Sequence, residues 1–289
     1  MYNHAQYLEQ CLDSIYSDDY PNIELIIIDD GSKDNSLEVA KKWRESHPDR
    51  FQRFHLETQE NLGICRTLNR LISLAGGEYV LPLASDDYFL SGGIEAKVRA
   101  LKARPDWLAV CGDAILVNPE GKVLSESAIE TSKVNRFALL KDHLRQGEII
   151  FNWAVPLQIM AFRKEAFSNQ KGVGLYNENL LVEDRDMCLR LLAKNAYGFT
   201  NDIAYAYRVR AAELSKSKPR NINATTPGLD QSLRIKHLAE SGANYYSGFR
   251  GINKAYLYID GYFSEGLLKK IIIKFIRYLY KIKIHDSVM

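Results

Sequence analysis

The chain has 289 residues, 46% of them hydrophobic, enough to bury a full core in one large α/β domain with an appendage. Its 38 Lys and Arg nearly balance 36 Asp and Glu, and a net charge of +2 excludes a general electrostatic pull toward nucleic acid. Four widely spaced cysteines (Cys11, Cys65, Cys111, Cys188) form no CxxC pair, which excludes a disulfide framework or zinc knuckle and favours a reducing cytoplasm.

The opening "MYNHAQYLEQCLDSIY" predicts a helix from its first residues, with Leu8, Cys11, Leu12 and Ile15 on one face and Asn3 as its cap. In an α/β sheet a strand normally precedes such a helix, and none is present in the sequence. Ile23 to Ile28 is a continuous apolar run, the pattern of a strand covered on both faces. It ends in Asp29-Asp30-Gly31-Ser32, and a helix capped by Asp34 or Asn35 follows, with Val39, Ala40 and Trp43 turned inward. A second strand is expected over Phe51 to Leu56. Asn61-Leu62-Gly63 then opens a helix carrying Ile64, Leu68, Leu71 and Ile72, which stops at Gly76-Gly77 before a strand over Tyr79 to Leu83. That strand leads to Asp86-Asp87. Alternating strand and helix predict a doubly wound, mostly parallel sheet for the first half.

From Leu108 the pattern changes to two strands joined by the Asn118-Pro119-Glu120-Gly121 turn, then a strand and helix in "QIMAFRKEAF". "ENLLVEDRDMCLRLLAKNAYGF" predicts a helix with Glu183, Asp184 and Asp186 in its first turn and Gly198 just past its end. Leu214 to Gly228 reads as a loop rich in polar residues. No apolar stretch is long enough to span a membrane, and no signal peptide opens the chain.

Three acidic clusters need one explanation: Asp29-Asp30, Asp86-Asp87 and Glu183-Asp184. Strand ends of an open α/β sheet converge on one crevice, so the first two can meet there. Adjacent carboxylates become compatible when a hard cation lies between them and a phosphate. Taken singly, each cluster also fits a helix cap or a solvated turn.

"MYNHAQYLEQCLDSIYSDDYPNIELIIIDDGSKDNS", "NLGICRTLNRLISLAGGEYVLPLASDD" and "LLVEDRDMCLRLL" together resemble the successive signatures of inverting family 2 glycosyltransferases of GT-A fold, over about residues 1–210. The resemblance implies a mostly parallel central sheet flanked by helices and a helical C-terminal extension. It divides the chain into a GT-A domain at 1–213 (nucleotide-sugar half 1–107, acceptor half 108–213) and an extension at 214–289. Tyr2, Asn3, Asp30, Arg66 and Asp86 are implied to bind the donor, Asp87 to hold a divalent cation (Mn²⁺ or Mg²⁺), and Asp184 to be the general base. The donor expected is a nucleotide-sugar, a UDP-sugar, and the acceptor a glycan or lipid-linked saccharide in cell-surface polysaccharide synthesis. Being near a helix N-terminus, Asp184 is expected to stay ionised. The six histidines are read as structural or surface residues. Trp153 and Pro156 fall where the family shapes its acceptor pocket, and Arg70 shares a helix face with Arg66.

Three departures from the family stand out. The strand that precedes the Tyr2-Asn3 pair in the family is absent, which reads as a start placed too late in preference to a truncated protein. Ala84 replaces the first acid of the DxD-type stretch. Arg210 stands where many members carry a His; guanidinium has no lone pair for a metal, but it could meet the diphosphate as a positive charge. Two other readings are a catalytically impaired nucleotide-binding or scaffold homologue, and a nucleotidyltransferase, whose Gly-rich phosphate loop is not visible.

Near the C-terminus, Lys270, Lys274, Arg277 and Lys281 form one basic stripe on an otherwise apolar helix. It could lie on an anionic membrane surface, making the protein peripheral on the inner face of the plasma membrane, or dock on its own domain with the stripe in water.

Overall fold

A computed structural model of the chain describes residues 1–132, 134–152, 159–179 and 183–209. Trp153, Pro156, Arg210, the Leu214–Gly228 loop and the basic tail lie outside the described residues.

Helix α1 (Ala5–Tyr16) buries Leu8, Cys11, Leu12 and Ile15, the face its periodicity dictates. Its expected cap differs. Asn3 stands at φ +54° outside the helix, and the Ala5 N–H donates instead to Asp34 Oδ2 at 3.0 Å. Asp34 also accepts from the Ser36 N–H, so one carboxylate serves the starts of α1 and α2 (Ser36–Ser46). Strand β1 (Glu24–Asp29) pairs in parallel with β2 (Arg53–Thr58), two residues later than the pattern of Phe51 to Leu56 suggested. Trp43 of α2 packs under this pair in the same core as Leu12 and Ile27 and donates its Nε1–H to Asp13 at 2.7 Å.

Helix α3 (Ile64–Leu74) leads to β3 (Tyr79–Val80), β4 (Tyr88–Phe89) and α4 (Gly93–Ala103). The later elements are β5 (Ala109–Val117), β6 (Val123–Ser125), α5 (Arg136–Leu140), α6 (Asp142–Phe151), β7 (Ala161–Arg163), α7 (Glu183–Ala193) and β8 (Tyr197–Arg208). Their sheet runs β3-β7-β5-β8-β4, with β6 on β5. Within it β5 and β8 are parallel, while β3, β4, β6 and β7 pair antiparallel, so the parallel pairing expected throughout the first half is confined to β1 with β2. Ladder pairing of β3 covers Tyr79–Val80, short of the predicted Leu83.

The end of α7 also differs from expectation. Asn195 takes the left-handed conformation after the helix (φ +55°), and Gly198 lies inside β8. A Cβ on Gly198 would sit 2.0 Å from Trp107 Cε3, so the glycine is there to admit the indole. No helix among the described residues is long and apolar enough to cross a membrane.

Candidate functional site

Beyond β1 the chain turns at Gly31, whose φ is +74° and whose Cβ, if present, would lie 2.9 Å from the Asn61 nitrogen. The turn thus packs directly on the loop between β2 and α3. Asp30 organises that loop: its carboxylate accepts from Gln59 Nε2 at 2.7 Å, the Leu62 N–H at 2.9 Å and the Gly63 N–H at 3.1 Å. Burial opposes its charge, but hydrogen bonds from Gln59, Leu62, Thr67 and Gly63 prevail and hold its pKa below the usual carboxylate value. Asp29 turns the other way, accepting from Thr58 Oγ1 at 3.1 Å.

Residues 2–4 form the seam between the first two acidic clusters. Tyr2 is exposed. The Asn3 N–H donates to Ser32 Oγ at 3.0 Å, and its Oδ1 accepts from the Lys33 N–H at 2.7 Å. His4 donates its N–H to Ser36 Oγ at 3.0 Å, while its ring Nδ1 lies 2.9 Å from Ser85 Oγ and 3.6 Å from Asp86 Oδ1. The first two clusters therefore share one rim, as the convergence of strand ends requires. His4 is the site residue that sequence reasoning passed over. Its signal was position, directly after Tyr2-Asn3.

Asp86 and Asp87 are both buried. The Asp87 N–H closes a turn on the Ala84 carbonyl at 3.0 Å, and Asp87 Oδ1 accepts from the Arg208 N–H of β8 at 2.8 Å. Arg208, itself buried, donates Nε to the Asp86 carbonyl at 2.8 Å and Nη2 to Gln10 Oε1 at 2.6 Å. Its guanidinium lies over the rings of Tyr7 and Tyr88, 4.5 and 5.9 Å from their centroids. Among the described residues no group of three or more His, Cys, Asp or Glu side chains could hold a metal ion. The paired carboxylates of Asp86 and Asp87 are hard oxygen donors, the chemistry that a cation such as Mg²⁺ or Mn²⁺ takes.

The segment at Tyr176–Glu178, which precedes the third cluster in the chain, is bonded to α3. Asn69 Nδ2 donates to the Tyr176 carbonyl and its Oδ1 accepts from the Tyr176 N–H, each at 2.9 Å, and Arg66 Nε donates to Glu178 Oε2 at 3.2 Å. The segment before α7 is thereby tied to the helix that Asp30 sets. Arg66 and Glu178 are both well exposed, so this pair adds little stability. Arg70 is engaged apart from it, donating to Glu57 Oε1 at 2.5 Å.

The pKa values of the third cluster shift in the direction opposite to that favoured by the helix dipole. Burial pushes the Asp184 pKa up, outweighing the hydrogen bond from the Arg185 N–H and the charge of Arg185. Glu183 is pushed up to about 7 by burial and by the neighbouring Asp184 charge. Desolvation thus wins over the helix dipole, whose effect is largest where the terminus is wet. Both carboxyls thus have a raised proton affinity.

A sequence profile described as Glycosyl transferase family 2 matches residues 1–168. Glycosyltransferase GlyA of Streptococcus pneumoniae serotype 4 is 27% identical over 224 residues, covering 75% of this chain and 30% of GlyA. The putative glycosyltransferase EpsH of Bacillus subtilis is 31% identical over 131 residues, covering 45% of this chain and 37% of EpsH. The chain therefore spans less than two fifths of either relative. Among solved structures, Staphylococcus aureus TarS 1–349 in complex with UDP-GlcNAc is similar at a TM-score of 0.63 and 18% identity, covering 91% of this chain and 70% of TarS 1–349. The mannosyltransferase PcManGT from Pyrobaculum calidifontis in complex with GDP-Man and Mn²⁺ is similar at 0.55 and 20%, covering 89% of this chain and 67% of PcManGT. At these identities the structures speak for the fold, a GT-A glycosyltransferase fold. With the profile matching more than half of the sequence over the segment that builds the rim, the chain belongs to glycosyl transferase family 2.

Proposed function

We propose that this chain is a glycosyltransferase that moves a sugar from a UDP-sugar to a glycan or lipid-linked saccharide with inversion, in cell-surface polysaccharide synthesis. The observation that carries the reading is the seam at residues 2–4, which joins the Ser32–Ser36 turn to Ser85-Asp86 on one rim. Family membership and the fold shared with a UDP-GlcNAc complex of TarS support it.

In this reading Tyr2 and Asn3 line the nucleotide, and Asp30 acts beside them by setting the Gln59–Gly63 loop. Asp87, with Asp86 beside it, would hold a divalent cation, Mn²⁺ or Mg²⁺, which supplies Lewis-acid stabilisation of charge on the departing diphosphate when bound. Asp184 takes the proton of the attacking hydroxyl. Its raised pKa makes it a better base than a solvated carboxylate, provided the pH is high enough to ionise the pair. Attack from the face opposite the leaving diphosphate inverts the anomeric carbon. Arg66 can reach the donor only by exchanging or sharing its bond to Glu178. The basic stripe of the tail would bring the enzyme to an anionic membrane, where lipid-linked acceptors reside.

Calorimetric titration with UDP, with and without Mn²⁺, tests the site. Binding that tightens with Mn²⁺ and loses that gain in Asp87→Ala supports the reading. Binding indifferent to both the metal and the substitution sinks the metal assignment, and no binding of any nucleoside diphosphate sinks the donor site.

A further inference from the structure

Asp86 is held from two sides. Its carbonyl accepts from Arg208 Nε at 2.8 Å, and the neighbouring Asp87 Oδ1 accepts from the Arg208 N–H at the same distance, so β8 fixes the main chain of the pair and the side chain of its second member. The Asp86 carboxylate faces His4, whose ring Nδ1 lies 3.6 Å from its Oδ1 and 2.9 Å from the hydroxyl of Ser85. At 3.6 Å the ring does not bond the carboxylate directly. It bonds Ser85 and stands against Oδ1, which narrows the rotamers open to Asp86.

The ring is itself firmly placed. It packs edge-on against Tyr7, with centroids 6.2 Å apart and planes at 69°, and Tyr7 in turn carries the Arg208 guanidinium 4.5 Å from its centroid. The main chain of His4 has separate partners. Its N–H donates to Ser36 Oγ at 3.0 Å, and its carbonyl accepts from the N–H groups of Tyr7 and Leu8 at 2.9 and 3.1 Å. Ser36 Oγ passes the link on, donating to Asp34 Oδ1 at 2.6 Å. One residue thus meets the Ser32–Ser36 turn with its backbone and the acidic pair with its ring. Substitution can change the second contact while the backbone keeps the first.

We propose that His4 is a positioning residue: its Nδ1, through Ser85, fixes the orientation of the Asp86 carboxylate and ties it to the Ser32–Ser36 turn. The role rests on the reading of Asp87, with Asp86 beside it, as the pair that holds a divalent cation. A carboxylate free to rotate gives up rotamer entropy when it meets a cation, and one held beforehand does not. Groups that orient a ligating carboxylate accordingly govern metal affinity by roughly 10- to 100-fold. His4 therefore sets how much a cation adds to the binding of the donor's diphosphate and leaves the binding of nucleotide without metal as it is.

The test is calorimetric titration of the full chain with UDP, without and with Mn²⁺, on the wild type, His4→Asn, His4→Gln, Ser85→Ala and the double variant His4→Gln with Ser85→Ala. Asparagine puts an amide atom where imidazole has Nδ1, and glutamine puts one where it has Nε2. His4→Gln and Ser85→Ala should each lose about 10-fold of the affinity gained from Mn²⁺, with metal-free UDP binding unchanged. His4→Asn should keep that gain, and the double variant should lose no more than either single one, since both break one link. Equal losses in His4→Asn and His4→Gln would make the ring a packing group and overturn the proposal. So would additive losses, or weakened UDP binding without metal, which would place the role of His4 in the nucleotide turn. A wild type with no Mn²⁺ gain removes the cation reading together with this role, whereas a gain that every variant retains removes this role alone. Ser85→Ala leaves His4 and its packing on Tyr7 in place, so the link is tested even if His4→Gln fails to fold.

Discussion

The main-chain N–H of Arg208 donates to Asp87 Oδ1 at 2.8 Å, while the same residue's Nε donates to the Asp86 carbonyl at 2.8 Å. One residue at the end of β8 thus holds both members of an acidic pair 121 positions earlier in the chain. Arg208→Met keeps the main-chain bond but removes the guanidinium bonds to the carbonyls of Asp86 and Pro119 and to the Gln10 amide oxygen, while the Asn118 carbonyl keeps its bond from the Gly121 N–H. We expect a loss of about 2 kcal/mol in urea unfolding, because the carbonyl of the buried Asp86 loses a charge-assisted bond while the other acceptors are partly open to water. UDP affinity should weaken at temperatures where the variant is still folded. Unchanged stability and affinity would show that Asp86-Asp87 is held by other contacts.

Proton affinity at the third cluster sets a pH dependence. Both Glu183 and Asp184 have pKa values raised by burial, Glu183 to about 7. A base must be ionised to act, so transferase kcat should climb with rising pH over a range displaced upward from that of a solvated aspartate, and level off above it. Asp184→Asn should abolish this chemistry, with kcat down on the order of 1,000-fold and UDP binding little changed. A flat profile from pH 5 to 8 would remove the pair from the base role.

Stability should respond in the opposite sense. Glu183 keeps its proton in the folded state to about pH 7, whereas unfolded it ionises near 4.5. The unfolded chain therefore binds fewer protons between these values, and stability falls as pH rises through that window. Glu183→Gln removes the effect. Its unfolding free energy, read from urea titration, should track the wild type at pH 4 and gain on it by pH 8, by about 3 kcal/mol at most, given 1.36 kcal/mol per pKa unit. A variant no more stable at pH 8 than at pH 4, relative to wild type, would show that Glu183 ionises normally.

Gly198→Ala should be strongly destabilising. The added methyl meets the Trp107 ring at 2.0 to 2.4 Å, and the indole has nowhere to move, since Arg104 and Arg145 lie over it at 4.3 and 5.2 Å from its centroid. We expect a cost of about 3 kcal/mol, at the upper end for overpacking in a core, read as a lowered urea midpoint. Trp107→Leu should partly restore it by clearing the space.

Sequence alone determined the elements whose signal is local. The apolar face of α1, the buried run of β1, the Asn118–Gly121 turn and the acidic start of α7 are each written in spacing or in residues with special backbone needs, and each folds as spaced. The three acidic clusters were legible for the same reason, as short motifs at element ends. What they are bonded to was not. That Asp30 builds the Gln59–Gly63 loop, that His4 reaches Ser85, and that Arg208 holds Asp86-Asp87 depend on contacts between residues far apart in the chain, which no window of sequence contains. The upward shift of the Glu183 and Asp184 pKa values was not legible, because helix position is local while burial is not. Gly198 shows the same division: read as a helix stop from its place in the sequence, it serves a tryptophan 91 residues away, and only the packed interior decides which role a glycine fills.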